Sequence, residues 1–369
     1  MTLEIARTED VLAQAPERGL RVGVVGPLPW WVRGAADDEA GPVHVASIHE
    51  TMAAGFVPDV LHVGIESVDE LRGRRRRELA DAALVVDATG AGSRQLGRRT
   101  VRACSHAQAL LVRSRHDLRE VRRRYPSLGR RTFLLTPPVD LDAYGSEAAL
   151  TATRGRELKR FRRFHRLAGP TVLFAGEYTE SGGLDLAIEA VLQLREDIEG
   201  VRLAALPFGE VDGRFLDRCE RRALALGHHG IVEHRVEAAE IPLWFAVADV
   251  VVFPSRDEAI PIAVSRALAA GRPVVATETE PLLDVVVDGE TGILVPTSDS
   301  ASLAAAVGSL LADEETATAL GAAARAQAER ELAPDVAAAR LRAIWMEAAE
   351  ARAMASAPAR PAASMADAV

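Results

Sequence analysis

The sequence predicts an α/β protein made of two doubly wound parallel-sheet units that face each other across a cleft. Short β-branched runs alternate with helical segments along most of the chain, a pattern typical of parallel strands joined by crossover helices. This alternation is interrupted once, between about residues 147 and 169. The chain has 369 residues, enough for two domains of ordinary size.

The first unit is predicted to cover residues 19–148 and to contain five or six strands. Residues 1–18 are polar and charged without an apolar core, so we expect a flexible N-terminus and no signal peptide. A helix is expected over residues 43–54. The strands are expected at residues 21–25, 59–64, 84–87, 110–113 and 132–135.

The interruption at residues 149–169 is predicted to be a basic linker between the two domains. Leu158, Phe161, Phe164 and Leu167 recur at every third residue, which indicates one apolar face. The many arginines leave two interpretations open. The segment is either a solvated amphipathic connector or a basic surface for an anionic lipid or phosphate.

The second unit is predicted to cover residues 170–332, with helices rich in alanine and leucine at its end. Its strands are expected at residues 171–175, 201–206, 231–236, 249–253, 273–277 and 293–296. The helix at 333–350 has no strand left to cross over to, so we expect it to pack back on the first unit. Residues 351–369 are rich in alanine, proline and serine and are expected to form a disordered tail.

The composition of the chain argues against several classes of protein. The net charge of −9 argues against general nucleic-acid binding. The two cysteines, Cys104 and Cys219, are far apart in helical segments, which fits a reducing cytoplasm rather than a disulfide. No apolar run approaches the roughly 20 residues of a membrane-spanning helix. None of the nine histidines has metal-ligand spacing, so no metal site is expected.

The stretch from residue 248 to residue 296 carries the most specific pattern. In doubly wound sheets, ligands bind beyond the carboxyl ends of the strands. Glu258 stands in that position, after the run at 249–253 and before a helical segment. Its carboxylate is therefore the first candidate for a functional group, although an acidic residue there also stabilises a helix N-terminus.

Residues 249–330 contain a series of short motifs at defined spacing. They are Phe253-Pro254-Ser255, Asp257-Glu258, Ala267-Leu268-Ala269-Ala270-Gly271, Arg272-Pro273-Val274-Val275-Ala276 and Asp288-Gly289-Glu290-Thr291-Gly292. With these motifs, residues 249–330 resemble the donor-binding half of the family-4 retaining glycosyltransferases of GT-B fold. The resemblance extends loosely over residues 20–350.

The resemblance implies transfer of a sugar from a nucleotide-diphosphate sugar with retention of the anomeric configuration. It implies no cofactor and no obligatory metal, since the nucleotide sugar is the co-substrate. Glu258 matches the first glutamate of the family's paired-glutamate motif, which contacts donor sugar hydroxyls. Ser255 falls in the same donor-binding segment.

The donor-binding positions also depart from the family pattern. Arg266 replaces the second glutamate, and a guanidinium can only donate hydrogen bonds. It would bind a phosphate, pair with Glu258, or lie on the helix surface. Glu177 and Gly182 stand where the family has an arginine and a lysine on the diphosphate. Gly182 and Gly183 would then bring backbone N–H groups close to an anion. Gly176, at the end of the preceding strand, is a further candidate donor-binding residue.

The first unit has its own candidates. Gly34, with Arg33 beside it, would let the backbone approach the diphosphate in the loop at 27–41. Asp87 is the last residue of a predicted strand and Thr89 follows it, and both are candidate sugar or acceptor contacts. Asp87 would alternatively cap the segment that follows it.

Three functions remain open from the sequence. The first is an active retaining glycosyltransferase with an atypical donor pocket. The second is an inactive glycosyltransferase-like binding or partner subunit, in which Glu177 and Arg266 pair. The third is a sugar-nucleotide epimerase of the same architecture. A lipid-linked or cell-envelope acceptor is suggested only by the arginine clusters, as is a peripheral contact of a cytoplasmic protein with the inner face of the membrane.

Overall fold

The computed structural model of the chain describes residues 20–25, 31, 43–47, 58–65, 67, 82–89, 104–145, 147–225, 231–232, 236–257 and 261–356. The chain divides into two compact units. One comprises residues 1–113, 117–135 and 338–369, and the other comprises residues 114–116 and 136–337. Each unit contains a six-stranded parallel sheet, so the predicted pair of doubly wound units is confirmed.

The first unit contains strands β1 to β6 in the order β2-β1-β3-β4-β5-β6. The strands are β1 (Leu20–Val25), β2 (Val43–Ser47), β3 (Val60–Gly64), β4 (Ala83–Asp87), β5 (Ala109–Val112) and β6 (Thr132–Leu134). Its described helices are α1 (Arg115–Arg124) and α2 (Pro126–Gly129). The strand order reverses between β1 and β3, which makes that pair the switch point of the sheet.

Strand β2 replaces a predicted helix. Residues 43–47 pair in parallel with β1, from Leu20↔Val43 to Val24↔Ser47. The prediction of a helix over residues 43–54 was therefore wrong in its first half. A short apolar segment is ambiguous between the two periods, and the unpaired edge of β1 favours the strand because its N–H and C=O groups need partners.

The second unit contains strands β7 to β12 in the order β12-β11-β10-β7-β8-β9. The strands are β7 (Thr171–Tyr178), β8 (Arg202–Val211), β9 (Ile231–Val232), β10 (Val250–Phe253), β11 (Val274–Thr277) and β12 (Gly292–Val295). The helices are α3 (Glu147–Phe164), α4 (Leu184–Leu194), α5 (Gly213–Ala225), α6 (Ile241–Val247), α7 (Pro261–Ala269), α8 (Glu280–Leu283), α9 (Ser300–Ala312) and α10 (Glu314–Glu331). The last helix, α11 (Pro334–Ser356), crosses from the second unit into the first.

The sheet of the second unit is buried on both faces. Along β10, Val251 and Phe253 belong to one apolar cluster, whereas Val250 and Val252 belong to another. This division follows from the two-residue period of a strand, whose side chains point alternately to opposite faces. The continuous apolar run therefore fills two cores at once and fixes the positions of the loops at the strand ends.

Helix α3 differs from its prediction at one residue. Leu158 and Phe161, and Leu167 beyond the end of the helix, are buried as expected, but Phe164 is 78% exposed. Residues three apart in a helix are offset by about 60° at each step, so the third member of the series leaves the buried face. Helix α11 also continues to Ser356, six residues into the predicted tail, which the alanine-rich sequence favours.

Two further predictions can be compared with the structure. Cys104 and Cys219 are both buried and form no disulfide. Burial raises the pKa of the Cys104 thiol to about 11 and that of the Cys219 thiol to about 12, so neither is a thiolate near neutral pH. Within the described ranges, no helix is both long enough and apolar enough to cross a membrane.

Candidate functional site

The candidate site of the second unit lies at the carboxyl ends of β7 and β10. These are the strands between which the sheet order reverses, and ligands of doubly wound sheets bind at such switch points. The loop at 179–183 follows β7 and leads into α4, and the segment at 254–257 follows β10. The predicted donor-binding residues of this unit cluster around these two loops and the neighbouring helix α7.

The glycine pair is required by close packing of the backbone. Gly183 has a φ of 81°, and a Cβ placed on it would lie 2.1 Å from the carbonyl oxygen of Pro254. A Cβ on Gly182 would lie 2.1 Å from the carbonyl oxygen of Glu177. A larger residue at position 183 would therefore push the two strand-end loops apart, and one at position 182 would distort the turn that follows β7.

The N–H groups of the glycine pair are used within the loop itself. Gly182 donates to the carbonyl oxygen and the hydroxyl of Thr179, at 3.1 and 3.2 Å, and Gly183 donates to the same carbonyl at 3.3 Å. Gly176 lies within β7, at an irregularity in the pairing with β8. In this conformation the glycine pair therefore gives structural support to the loop and offers neither N–H group to an anion.

Arg256 clamps the two loops together, although it was not among the predicted site residues. Its backbone N–H donates to the carbonyl of Ser181 at 2.7 Å, and its guanidinium donates to the carbonyl of Glu180 at 2.6 Å. Both arms of the guanidinium also reach the carboxylate of Asp185, at 2.8 and 2.7 Å. The hydrogen bond to Asp185 raises the pKa of Arg256. A cation directly after a buried strand was the signal that could have indicated this role.

Ser255, a predicted donor-binding residue, also forms hydrogen bonds that join the two loops. Its side chain is buried, and its hydroxyl donates to the carbonyl of Ser181 at 3.2 Å. Its own carbonyl accepts the hydroxyl of Thr277 at 2.5 Å. The segment after β10 is thus held from both neighbouring strands, which fixes where the following residues begin.

Arg266 lies against aromatic rings at the end of α7. Its guanidinium carbon is 5.0 Å from the ring centre of Phe208 and 5.6 Å from that of Tyr144, distances typical of cation–π contacts. Within the part of the chain that the structure describes, Arg266 forms no ion pair, so the Glu177–Arg266 pair expected for an inactive protein is absent there. Glu177 is half-buried.

The candidate site of the first unit is built around Asp87, the last residue of β4. Its side chain is 8% exposed and accepts a hydrogen bond from His62 Nε2 at 3.3 Å and one from the Thr89 N–H at 2.8 Å. Burial by itself would raise the pKa of Asp87, but the hydrogen bonds from His62 and Thr89 hold it below its ordinary value. The carboxylate is therefore kept charged in a buried position.

A tryptophan of the last helix determines the tautomer of His62. Trp345 Nε1 lies 3.2 Å from His62 Nδ1, and an indole N–H can only donate, so Nδ1 is the acceptor and carries no proton. His62 then holds its proton on Nε2 and donates it to Asp87. This contact was not predicted, although a single histidine among the valines of β3 was a visible signal. All three residues belong to the first unit.

Three predicted site residues, Arg33, Gly34 and Glu258, lie outside the described residues. Asp257, which precedes Glu258, is exposed, and α7 begins at Pro261. Their assignments therefore stay predictions.

Comparison with known proteins adds a family match over part of the chain. Residues 155–327 match the model of the family described as glycosyl transferases group 1. A D-inositol 3-phosphate glycosyltransferase of Xylanimonas cellulosilytica is 33% identical over 243 residues, which are 64% of this chain and 56% of the relative. A GDP-mannose-dependent alpha-(1-6)-phosphatidylinositol monomannoside mannosyltransferase of Mycolicibacterium smegmatis is 32% identical over 200 residues, 52% of this chain and 50% of the relative. The chain spans about half the length of these curated relatives.

Solved structures with the same fold include a glycosyltransferase of Rickettsia africae, with a TM-score of 0.67, 11% identity, and coverage of 90% of this chain and 99% of that one. The sucrose-phosphate synthase of Thermosynechococcus elongatus has a TM-score of 0.66, 17% identity, and coverage of 90% and 100%. Anabaena HepE in complex with UDP and glucose has a TM-score of 0.67, 15% identity, and coverage of 87% and 98%. The predicted GT-B fold is confirmed by these likenesses.

Proposed function

We propose that the chain is a retaining glycosyltransferase of family 4, which moves a sugar from a nucleotide-diphosphate sugar to an acceptor that is still to be identified. One observation carries the proposal. The segment that matches the glycosyltransferase family, 155–327, contains the whole sheet of the second unit and both loops at its switch point. The two curated relatives are named as sugar transferases, which supports the same class of reaction.

In this proposal the donor lies at the β7/β10 switch point, and Glu258 contacts the hydroxyls of its sugar. A carboxylate there would also stabilise the positive charge that develops on the sugar as the glycosidic bond breaks. The reaction is proposed to proceed without a cofactor or an obligatory metal. Charge growing on the leaving diphosphate must then be met by donors of the protein.

Arg266 is the residue we propose for that task. The cation–π contacts with Phe208 and Tyr144 involve no hydrogen bond, so the N–H groups of the guanidinium are left to donate to an anion. Arg256 cannot serve equally well, because both of its arms are bound to Asp185. The arginine that departs from the family pattern would thus compensate for the cations that are replaced by Glu177 and Gly182.

The acceptor is proposed to bind in the first unit, with Asp87 and Thr89 as its contacts. The relative from Mycolicibacterium smegmatis is named for a phosphatidylinositol mannoside, which supports a lipid-linked or cell-envelope acceptor here. Such an acceptor would place the protein in the cytoplasm, at the inner face of the membrane.

A second function is favoured by the state of the glycine loop. Because Gly182 and Gly183 donate to Thr179 and Arg256 is bound by Asp185, the loop offers a diphosphate less than the family pattern would. A binding or partner subunit without transfer activity would tolerate this arrangement.

A thermal-shift screen with nucleoside diphosphates and nucleotide sugars tests the proposal, because a ligand of the folded state raises the melting temperature. At least one nucleotide should raise it. Arg266→Gln should weaken that ligand about tenfold or more, as expected for the loss of a charge-assisted hydrogen bond. Arg214→Gln, at an exposed position of α5, is the matched control and should leave binding unchanged.

Measuring turnover distinguishes an active glycosyltransferase from a binding or partner subunit. With the nucleotide sugar found in the screen, Glu258→Gln should reduce transfer or donor hydrolysis by more than about tenfold while the thermal shift is kept. Binding without any turnover would support the partner subunit. If no nucleotide shifts the melting temperature, both functions fail.

A further inference from the structure

Helix α3 carries a concentrated basic face that the proposed sugar transfer does not use. We define the basic face of α3 as five exposed cations within eleven residues, four in the helix and the last just after its end: Arg156, Lys159, Arg160, Arg163 and Arg166. The acidic residue within this stretch, Glu157, is bound by Arg154 at 2.6 Å. None of the five cations forms an ion pair with a described carboxylate. The face is therefore a local excess of positive charge on a chain whose net charge is −9.

The cations lie on one side of the helix. At about 100° per residue, Arg156, Lys159, Arg160 and Arg163 fall within an arc of about 100°, opposite to the buried side. That buried side is held in the second unit by Leu158 and Phe161, which are 3% and 5% exposed. The fold thus presents the cations outward on a fixed scaffold.

Phe164 borders this face and is 78% exposed, the largest exposed fraction among the large apolar side chains that the structure describes. By the same rotation, it extends the arc of the cations by about 40° on one side. An aromatic side chain next to a row of cations is the pattern of helices that lie in the interface of a membrane, where the ring enters the boundary between headgroups and acyl chains.

Helix α5 shows that an exposed helix of this protein need not carry unpaired positive charge. It also carries arginines and an exposed leucine, Leu224, which is 61% exposed. However, Asp217 and Glu220 lie among its arginines, and Arg222 is bound to Glu189. Positive charge is therefore partly offset on α5, whereas the five cations of the basic face of α3 have no such partners among the described carboxylates.

We propose that the basic face of α3, together with Phe164, docks the protein on a bilayer that contains anionic phospholipids. The cations would bind lipid phosphates, and the phenyl ring would enter the interface. Charge alone would also suit a nucleic acid, but an exposed phenyl ring at the edge of the cations gains free energy from a bilayer. This inference does not depend on sugar transfer, and it holds for either function proposed above.

Co-sedimentation of the full chain with phosphatidylcholine vesicles, with and without phosphatidylglycerol, tests the inference. The protein should bind only the anionic vesicles, and binding should weaken as salt is added. Each basic residue near an anionic surface contributes about fivefold to partitioning. The double variant Arg160→Glu/Arg163→Glu should therefore lower the partition coefficient by at least about fiftyfold.

The matched control is Arg214→Glu/Arg221→Glu on α5, which changes the net charge equally at exposed positions. It should alter partitioning by no more than about threefold. Phe164→Ser should lower partitioning by about tenfold at every salt concentration, because its contribution is apolar. Circular dichroism checks that each variant is folded.

Several outcomes would overturn the inference. These are no binding to anionic vesicles, an equal loss in the two double variants, or no effect of Phe164→Ser. Single-stranded RNA bound as tightly as the vesicles, and independently of Phe164, would assign the face to nucleic acid instead.

Discussion

Each unit places a carboxylate near the carboxyl ends of its strands, and the two carboxylates are held by different partners. Asp185 in the second unit is bound by both arms of Arg256, so the pair is neutral overall. Asp87 in the first unit is bound by His62 and by a backbone N–H. Trp345 Nε1 donates to His62 Nδ1, so the proton that His62 donates to Asp87 is carried on Nε2.

The two carboxylates also differ in exposure. The side chain of Asp185 is 37% exposed, whereas that of Asp87 is 8% exposed. Burying a charged group is costly, and buried ionisable groups with shifted pKa values cluster at functional sites. The comparison therefore supports a structural role for the Asp185–Arg256 pair and keeps Asp87 as the candidate for binding or chemistry.

The largest expected difference between the two carboxylates is in turnover. Asp87→Asn should reduce transfer by about a hundredfold, because the amide has lost the charge that the buried cluster maintains. Asp185→Asn should reduce it by less than about threefold. Steady-state kinetics with the donor found in the thermal-shift screen measures both. Equal losses in the two variants would show that the comparison has no functional meaning.

Two glycine substitutions test whether the loop after β7 has a structural role. Gly183→Ala should lower the free energy of unfolding by about 2–4 kcal/mol, since it combines a positive φ with a clash against Pro254. Gly289 has a φ of 71°, but a Cβ added there would meet nothing within 4 Å, so Gly289→Ala should cost only about 1 kcal/mol. Urea denaturation measures both, and similar values would refute the packing argument.

The smallest expected effect is the pH dependence that comes from Asp87. Its pKa is lowered in the folded protein, so its stabilisation is fully present above the ordinary value of 3.8 and is lost as the pH falls through the folded value. The free energy of unfolding should therefore fall less steeply below about pH 5 in Asp87→Asn than in the wild type. Urea denaturation across this range measures the slopes, and identical slopes would contradict a lowered pKa.

Much of the fold could be predicted from the sequence because its signals are local. The buried strands of a parallel sheet appear as continuous apolar runs, such as residues 249–253, and their alternation with helices indicates the fold class. Strand β2 and the exposed Phe164 could not be predicted in the same way. Strand β2 forms because the edge of β1 needs hydrogen-bond partners, which only the folded sheet shows. Phe164 is exposed because residues spaced three apart rotate progressively away from the buried face of a helix.

The candidate site was predicted less completely, because its contacts join distant residues. Ser255 and the glycine pair were identified, but their partners were not. Arg256 reaches Asp185 across 71 positions, and Trp345 reaches His62 across 283. Neither separation leaves a recognisable spacing in the sequence.

The sequence by itself determined that this protein has two doubly wound units, since strand and helix periods are properties of neighbouring residues. The tertiary structure decided which polar groups are already occupied. It alone shows that the glycine loop satisfies its own N–H groups, that Arg256 is bound by Asp185 and that Asp87 is held by His62. Hydrogen-bond partners are determined by distances in space, and those distances exist only after the sheets have formed.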